Sequence, residues 1–307
     1  MNSNVTNKYL KKALIDLQNA LEGDGDASSE LMVFINELKM SNLLIPGIDD
    51  GEDLIYETLI SEEDDMTFLP LFTDSEEFYK FYDEDSEYEP IANEFEIYAG
   101  ISEDVDAIII DAEGEEFIAT KEMIELACED FSAQKDDVEA KDASQIRQIY
   151  DSISNESLSQ FIADESNAND FEGLMVEISA SKLLDLVVSE DSLDEFGEDG
   201  IIKAEDVDGF SLCTLEDDEG GRYAILFTDK NAIADAIDDD LFYYAQITNV
   251  SALFEFVLRN DMDGVVINPN GDEFIIPRSV LLAQASGIEL VAEDASLSNS
   301  LEYTFKL

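Results

Sequence analysis

The chain has no histidine and no tryptophan among its 307 residues. Without histidine, Ser-His-Asp and Cys-His catalysis and most zinc sites are excluded. The commonest general base near pH 7 is missing as well. The two cysteines, Cys128 and Cys213, are far apart and form no CxxC arrangement, so neither a disulfide nor a thiolate metal site is expected. Both read as small, semi-buried residues. No uninterrupted apolar run reaches the roughly 18 residues of a membrane span. The opening residues MNSNVTNKYLKKALIDLQNALEGD space their apolar side chains like one helix face and interrupt them with acids, unlike a secretory leader. A cytoplasmic location and no membrane partner are expected. GxGxxG, P-loop and GxSxG sequences are also missing.

Positive charge is scarce. Sixteen Lys and Arg face 75 Asp and Glu, giving a net charge of −59. Nucleic-acid phosphates are bound by clustered cations that release counterions, so direct nucleic-acid binding is not expected. Docking on an anionic membrane leaflet is opposed by the same charge. Diffuse cation binding to the surface is expected instead. The acidity has three readings. It belongs to an acidic host proteome, where carboxylates keep the protein hydrated. It steers a basic protein partner onto a binding or regulatory module. Or carboxylates stand in for phosphates, making the chain a DNA mimic that inhibits a nucleic-acid-binding protein.

Carboxylates also leave a carboxylate- or Mg-dependent enzyme formally open. With 75 acids, chance pairs abound and none stands out. Two segments resemble calcium loops and fail the test. The one beginning at Asp24 places Ser29 where glycine is needed and Ile35 where a bidentate Glu is needed; the one beginning at Asn268 places Glu273 and Ser279 there. The expectation is a non-enzymatic protein with no catalytic residue, no cofactor and no metal ligand. Disorder is opposed by 18 Phe, 11 Tyr and only 5 Pro, and by acidic runs no longer than Glu62–Asp65.

An internal repeat is present. LMVFI at 31–35 matches LMVEI at 174–178, and the same spacing sets NLLI at 42–45 against DLVV at 185–188. FLPLFTD at 68–74 matches YAILFTD at 223–229. VDAIIIDAEGEEFIAT at 105–120 matches MDGVVINPNGDEFIIP at 262–277, with six of sixteen positions identical. Blocks in one order imply a tandem repeat, with domains at 1–140 and 141–307 and a polar linker over 129–145. The expected fold class is α+β. It comprises two tandem copies of an α/β sandwich-like domain, each a mixed sheet of about five strands with helices packed on it.

In the first copy, helical spacing covers Leu10 to Leu21 and 29–39; strands follow at 43–48, 53–60 and 66–72. Thr73-Asp-Ser-Glu76 has the spacing of a capping box, with Thr73 as the cap of a helix over 74–82. A further helix near 90–100 leads to strands 106–111 and 115–119 and a helix over 120–129. The second copy predicts helices at 144–163 and 171–184 and strands at 185–189, 210–216 and 222–228. Helices 229–237 and 249–260, strands 264–268 and 273–276, and helix 277–286 follow. The alternating tail at 301–307 suits an edge strand.

Leu69-Pro70-Leu71-Phe72-Thr73-Asp74, Ala224-Ile225-Leu226-Phe227-Thr228-Asp229 and Asp263-Gly264-Val265-Val266-Ile267-Asn268-Pro269 carry a family resemblance. A strand-to-helix junction of this kind, followed some 35 residues later by an Asn-Pro turn and a short strand, resembles the N-terminal domain of the SseB family, the enhanced-serine-sensitivity type. The resemblance covers about 80 residues in each copy. The first copy departs from it at Asp111-Ala112, where the family pattern has Asn-Pro; the second departs at Ala224, where it has proline. The resemblance implies the fold and two tandem copies, and it brings no catalytic residues with it.

Overall fold

The computed structural model describes residues 5–23, 27–49, 54–61, 66–83, 86–95, 97–98, 105–112, 116–128, 150–189, 210–237, 244–286 and 303–306. The chain divides into two compact units, Met1–Phe131 and Ser132–Leu307. The stretch 129–145 read as a linker lies outside the described residues.

The first unit opens with α1 (Lys8–Glu22) and α2 (Ser28–Met40). Leu10, Leu14 and Leu17 recur at helical spacing and are buried. Then come β1 (Asn42–Asp49), β2 (Leu54–Tyr56), β3 (Leu59–Ile60), β4 (Thr67–Leu71) and α3 (Ser75–Phe81). β5 (Glu89–Glu94), β6 (Ala107–Ile110), β7 (Phe117–Thr120) and α4 (Lys121–Cys128) complete it. The strands form a three-stranded sheet, β2-β1-β5, and a four-stranded sheet, β3-β4-β6-β7. Among the described residues of this unit, only β4 and β6 run parallel. The sheets meet where Leu44 and Phe72 exchange backbone hydrogen bonds of 2.9 and 2.8 Å. Side chains alternate along β1. Leu43 and Ile45 join the core of α1, α2, β4 and β6, whereas Leu44 joins Phe72, Phe78 and Tyr82.

The second unit contains α5 (Glu156–Ala163), α6 (Phe171–Ser179), β8 (Leu184–Ser189), β9 (Phe210–Leu212), β10 (Thr214–Asp217) and β11 (Arg222–Leu226). α7 (Lys230–Ala236), β12 (Tyr244–Ile247), α8 (Val250–Arg259), β13 (Gly264–Ile267), β14 (Phe274–Pro277), α9 (Arg278–Ser286) and β15 (Tyr303–Lys306) follow. Its sheets are β12-β8-β9 and β14-β13-β11-β10-β15. Leu184 and Phe227 exchange hydrogen bonds of 3.0 and 2.8 Å, as Leu44 and Phe72 do. β11 and β13 are the parallel pair. The tail strand β15 adds antiparallel to β10.

The fold class is α+β, with the strands of each unit shared between two sheets. Strand pairing also corrects one of the sequence matches. Because Leu44 faces Phe72 and Leu184 faces Phe227, NLLI at 42–45 corresponds to KLLD at 182–185, three residues away from the DLVV match. The LMVFI and LMVEI identity slips equally. Phe34 and Leu38 are buried in α2, and Leu174 and Ile178 in α6. A three-residue slip nearly preserves a helix face, so the identical letters were found one turn out of step. The helix expected near 90–100 is replaced over its first half by strand: residues 89–94 form β5, with Pro90 paired to Pro46, and among the described residues of this stretch only Phe95 and 97–98 are helical. The strand expected at 53–60 divides into β2 and β3, and that at 210–216 into β9 and β10. Within each pair the chain passes from one sheet to the other.

Candidate functional site

The carboxyl ends of parallel strands are the usual ligand-binding edge of α/β sheets. In the first unit that edge is formed by the ends of β4 and β6, where Thr73, Asp74 and Asp111 follow the strands. Thr73 is fully buried and Asp111 nearly so. The Thr73 amide donates to Asp111 Oδ1 at 2.9 Å, and its hydroxyl donates to Oδ2 at 2.6 Å. Asp111 sits in the left-handed region, with φ of 51°, where an aspartate is tolerated more easily than most residues. From the opposite side, the Asn7 side-chain amide donates to the Thr73 carbonyl at 2.8 Å and also to the Asn42 carbonyl. Asn7 precedes α1 but does not cap it with its side chain. It ties the helix start to β1 and to the β4–α3 junction.

Burial pushes the Asp111 carboxyl up to about 6. The two Thr73 hydrogen bonds oppose that rise; Glu77 adds to it and Lys11 counters it. Lys11 makes ion pairs with Asp74 and, at 3.4 Å, with Glu77. Burial alone would lower the Lys11 ammonium pKa, but the hydrogen bond to Asp74 and the charges of Asp74, Glu77 and Asp111 outweigh it and raise it.

The second unit builds the same junction with one change. The Asn155 side-chain amide donates to the carbonyls of Lys182 and Thr228, at 2.8 and 2.7 Å. The Thr228 amide donates to Asn268 Oδ1 at 3.0 Å, and Asn268 Nδ2 donates to the Thr228 hydroxyl at 3.0 Å. Asn268 also has φ of 51°. Asn7 thus corresponds to Asn155, Thr73 to Thr228, and Asp111 to the uncharged Asn268.

Thr73 is not the helix cap expected from its spacing. The N-cap of α3 is Asp74, which accepts from the Glu77 amide at 2.9 Å. Asp229 caps α7 likewise, accepting from the amides of Asn231 and Ala232. A Thr-Asp pair offers two candidate caps one residue apart. The strand carries the threonine into the core and leaves the aspartate at the helix start. Another repeated acid is also structural: Asp106 accepts from the Thr67 amide and Asp263 from the Arg222 amide, both at 2.8 Å, at the start of the parallel strand pair.

A threonine hydroxyl bonded to a carboxylate superficially resembles a nucleophile with its base. Both groups are buried, and in the second unit the base position is an amide that takes no proton. The junction's evident chemistry is to hold strand ends together; in the first unit it does so through a carboxyl whose proton is held more tightly because it is buried. Sequence reasoning singled out Thr73, Asp74 and their counterparts, read Asp111 and Asn268 only as turn residues, and missed Asn7 and Asn155. The signal was weak: an Asn just before α1 and before α5, and a polar residue ending each parallel strand.

Elsewhere, Arg278 is buried and donates to the carbonyls of Val257 and Leu258 at the end of α8, at 3.1 and 2.7 Å, which suits the helix dipole. Cys213 is buried rather than semi-buried, and burial, with the Asp185 charge, pushes its thiol up to about 11. The Cys128 side chain lies outside the described residues. Asp185 is only 3% exposed, and its Oδ1 makes no hydrogen bond among the described residues. Burial raises its pKa, with Thr248 and Gln246 opposing. Among the described residues, no group of three or more Cys, Asp or Glu could hold a metal ion, and no helix is long and apolar enough to cross a membrane.

Residues 155–282 match the family model of the SseB protein N-terminal domain. The match runs from Asn155, at the junction of the second unit, into α9 and takes in Thr228, Asp229 and Asn268. No curated protein and no solved structure matches the chain.

Proposed function

We propose that the chain is a cytoplasmic, non-enzymatic binding or regulatory module made of two SseB-like domains, the first a tandem copy of the second, whose acidic surface receives a basic protein partner. The observation that carries this reading is the replacement of Asp111 by Asn268 in an otherwise repeated junction. A catalytic carboxylate loses its proton chemistry on conversion to an amide, whereas a strand-tying acceptor keeps its geometry. The other recurring polar side chains, Asn7/Asn155, Asp74/Asp229 and Asp106/Asp263, accept from or donate to backbone of their own unit. The repeated polar pattern is thereby spent on architecture. What is left for function is surface, and a charge of −59 makes that surface suited to electrostatic steering of a cationic protein and unsuited to nucleic acid.

The test is titration of the full chain with peptides of graded positive charge, followed by fluorescence anisotropy. Saturable binding that weakens from about 0.15 to 1 M salt, as the Debye length shortens from about 8 to 3 Å, supports the reading. Failure to bind any basic peptide at the lower salt would remove it.

A further inference from the structure

The two units treat the same sheet edge differently. In the second, β10 is the penultimate strand, and β15 lies along its outer side, pairing Leu215 with Phe305 and Glu216 with Thr304. In the first, β3 takes the place of β10. Leu59 pairs with Phe68 and Ile60 with Thr67, as Leu215 pairs with Tyr223 and Glu216 with Arg222. Beyond β3 there is no further strand among the described residues.

The edge has the right groups to accept one. The Ser61 amide donates to the Met66 carbonyl, toward β4. Along an antiparallel strand these directions alternate, so the Ile60 N–H and C=O point outward, away from β4. The Ile60 side chain is 68% exposed, and Ile55 on the adjoining β2 is 52% exposed. An open strand edge bearing exposed isoleucine is a template for another strand. Nothing basic borders it in the sequence. Asp49-Asp50-Gly51-Glu52-Asp53 precedes β2, and Ser61-Glu62-Glu63-Asp64-Asp65 follows β3. A second copy of the chain would bring another −59 to this edge, so self-pairing is opposed by charge.

We propose that the outer edge of β3 is a docking edge where an extended, basic segment of a partner protein adds as an antiparallel strand, in the position that β15 occupies on β10. The inference rests on the basic-partner reading above and names where that partner binds. Main-chain hydrogen bonds to Ile60 would supply affinity, and the chain's net charge of −59 favours a segment that carries basic side chains.

The probes are a fluorescent peptide of alternating lysine and valine and a control of equal charge interrupted by prolines, which cannot complete a ladder. Anisotropy at about 0.15 M salt should show the alternating peptide binding the full chain about ten-fold more tightly than the control. Ile60→Pro removes the outward N–H and leaves the Ser61 bond to β4 in place; it should abolish that preference with little change in the melting curve. If that variant does not fold, Ile60→Lys, which sets a like charge at the edge, should reduce binding of the alternating peptide. Equal, salt-sensitive binding of both peptides would overturn the edge and leave the basic-partner reading standing. Binding of neither peptide would overturn both. A concentration-dependent dimer abolished by Ile60→Lys would assign the edge to a second copy and overturn the proposal.

Discussion

Set side by side, the two units keep one strand register and differ in what they bury. The first buries Ile45, which faces the partly buried Ile91 in an apolar cross-strand pair, and a titratable carboxyl at Asp111. The second buries Asp185 facing Gln246 at the position of the apolar pair, and an amide at Asn268. Asp111 and Asp185 are thus buried in different places and with different support. Asp111 accepts two hydrogen bonds from Thr73, whereas Asp185 leaves Oδ1 without one. The shared register shows that backbone pairing and the asparagine and threonine ties define this fold. Charge inside it is a variable that each unit sets separately.

The sharpest test of that comparison transplants the aspartate whose Oδ1 is left without a hydrogen bond. Ile45→Asp places a carboxylate in the fully buried core of the first unit, opposite Ile91. The expected loss is more than about 4 kcal/mol by urea denaturation, the scale of an unpaired buried charge. Adding Ile91→Gln should recover about 1 kcal/mol by restoring the second unit's cross-strand pair. A loss below about 1 kcal/mol would mean that the two cores are not comparable at this position.

The next effect is stabilising. Asp111 has a folded-state pKa of about 6 against an ordinary value of 3.8. The folded chain therefore holds this proton more tightly than the unfolded chain, and stability falls as pH rises between those values. The displacement corresponds to about 3 kcal/mol at neutral pH. Asp111→Asn, which copies Asn268, should raise stability by about that amount at pH 7.5 and change little near pH 4. The reciprocal Asn268→Asp should cost a similar amount at pH 7.5. Denaturation midpoints across that pH range decide the matter, and a pH-independent gain in Asp111→Asn would show that its carboxyl is not the titrating group.

The smallest effect is shared by both units. Asp74→Ala and Asp229→Ala should each cost about 1 kcal/mol, the usual loss of an N-cap. Unequal losses would point to the Lys11 ion pair, which only Asp74 has.

The order of elements was largely legible from apolar periodicity, because buried strands such as Ala107–Ile110 and helix faces such as Leu10, Leu14 and Leu17 advertise their period. β5 and β12 were not. The sequence Glu89-Pro-Ile-Ala-Asn-Glu94 has neither strict alternation nor a helical stripe, and its strand conformation comes from pairing with β1, a contact the local sequence does not encode. The division of one strand into two was hidden for a related reason. A passage between sheets is imposed by partners, and residues such as Glu57 and Cys213 carry no turn signal. The junction was half visible: Thr73 and Asp74 stood out as a motif, but their roles depended on which of them the strand turned inward. Asn7 could not be connected to them without coordinates.

That connection has a kinetic side. Asn7 reaches Asn42 across 35 residues and Thr73 across 66, while Thr73 reaches Asp111 across 38 more. Closing loops of that length delays their contacts relative to local helix formation. At synthesis rates of about 5–20 residues per second, about 5–20 s separate the making of Asn7 from that of Asp111. During that interval α1 and α2 can meet as a helical hairpin, but the asparagine and threonine ties have only some of their partners. The first unit is therefore built to assemble its helices early and to lock late, when the end of β6 delivers the carboxylate on which the Thr73 amide and hydroxyl converge.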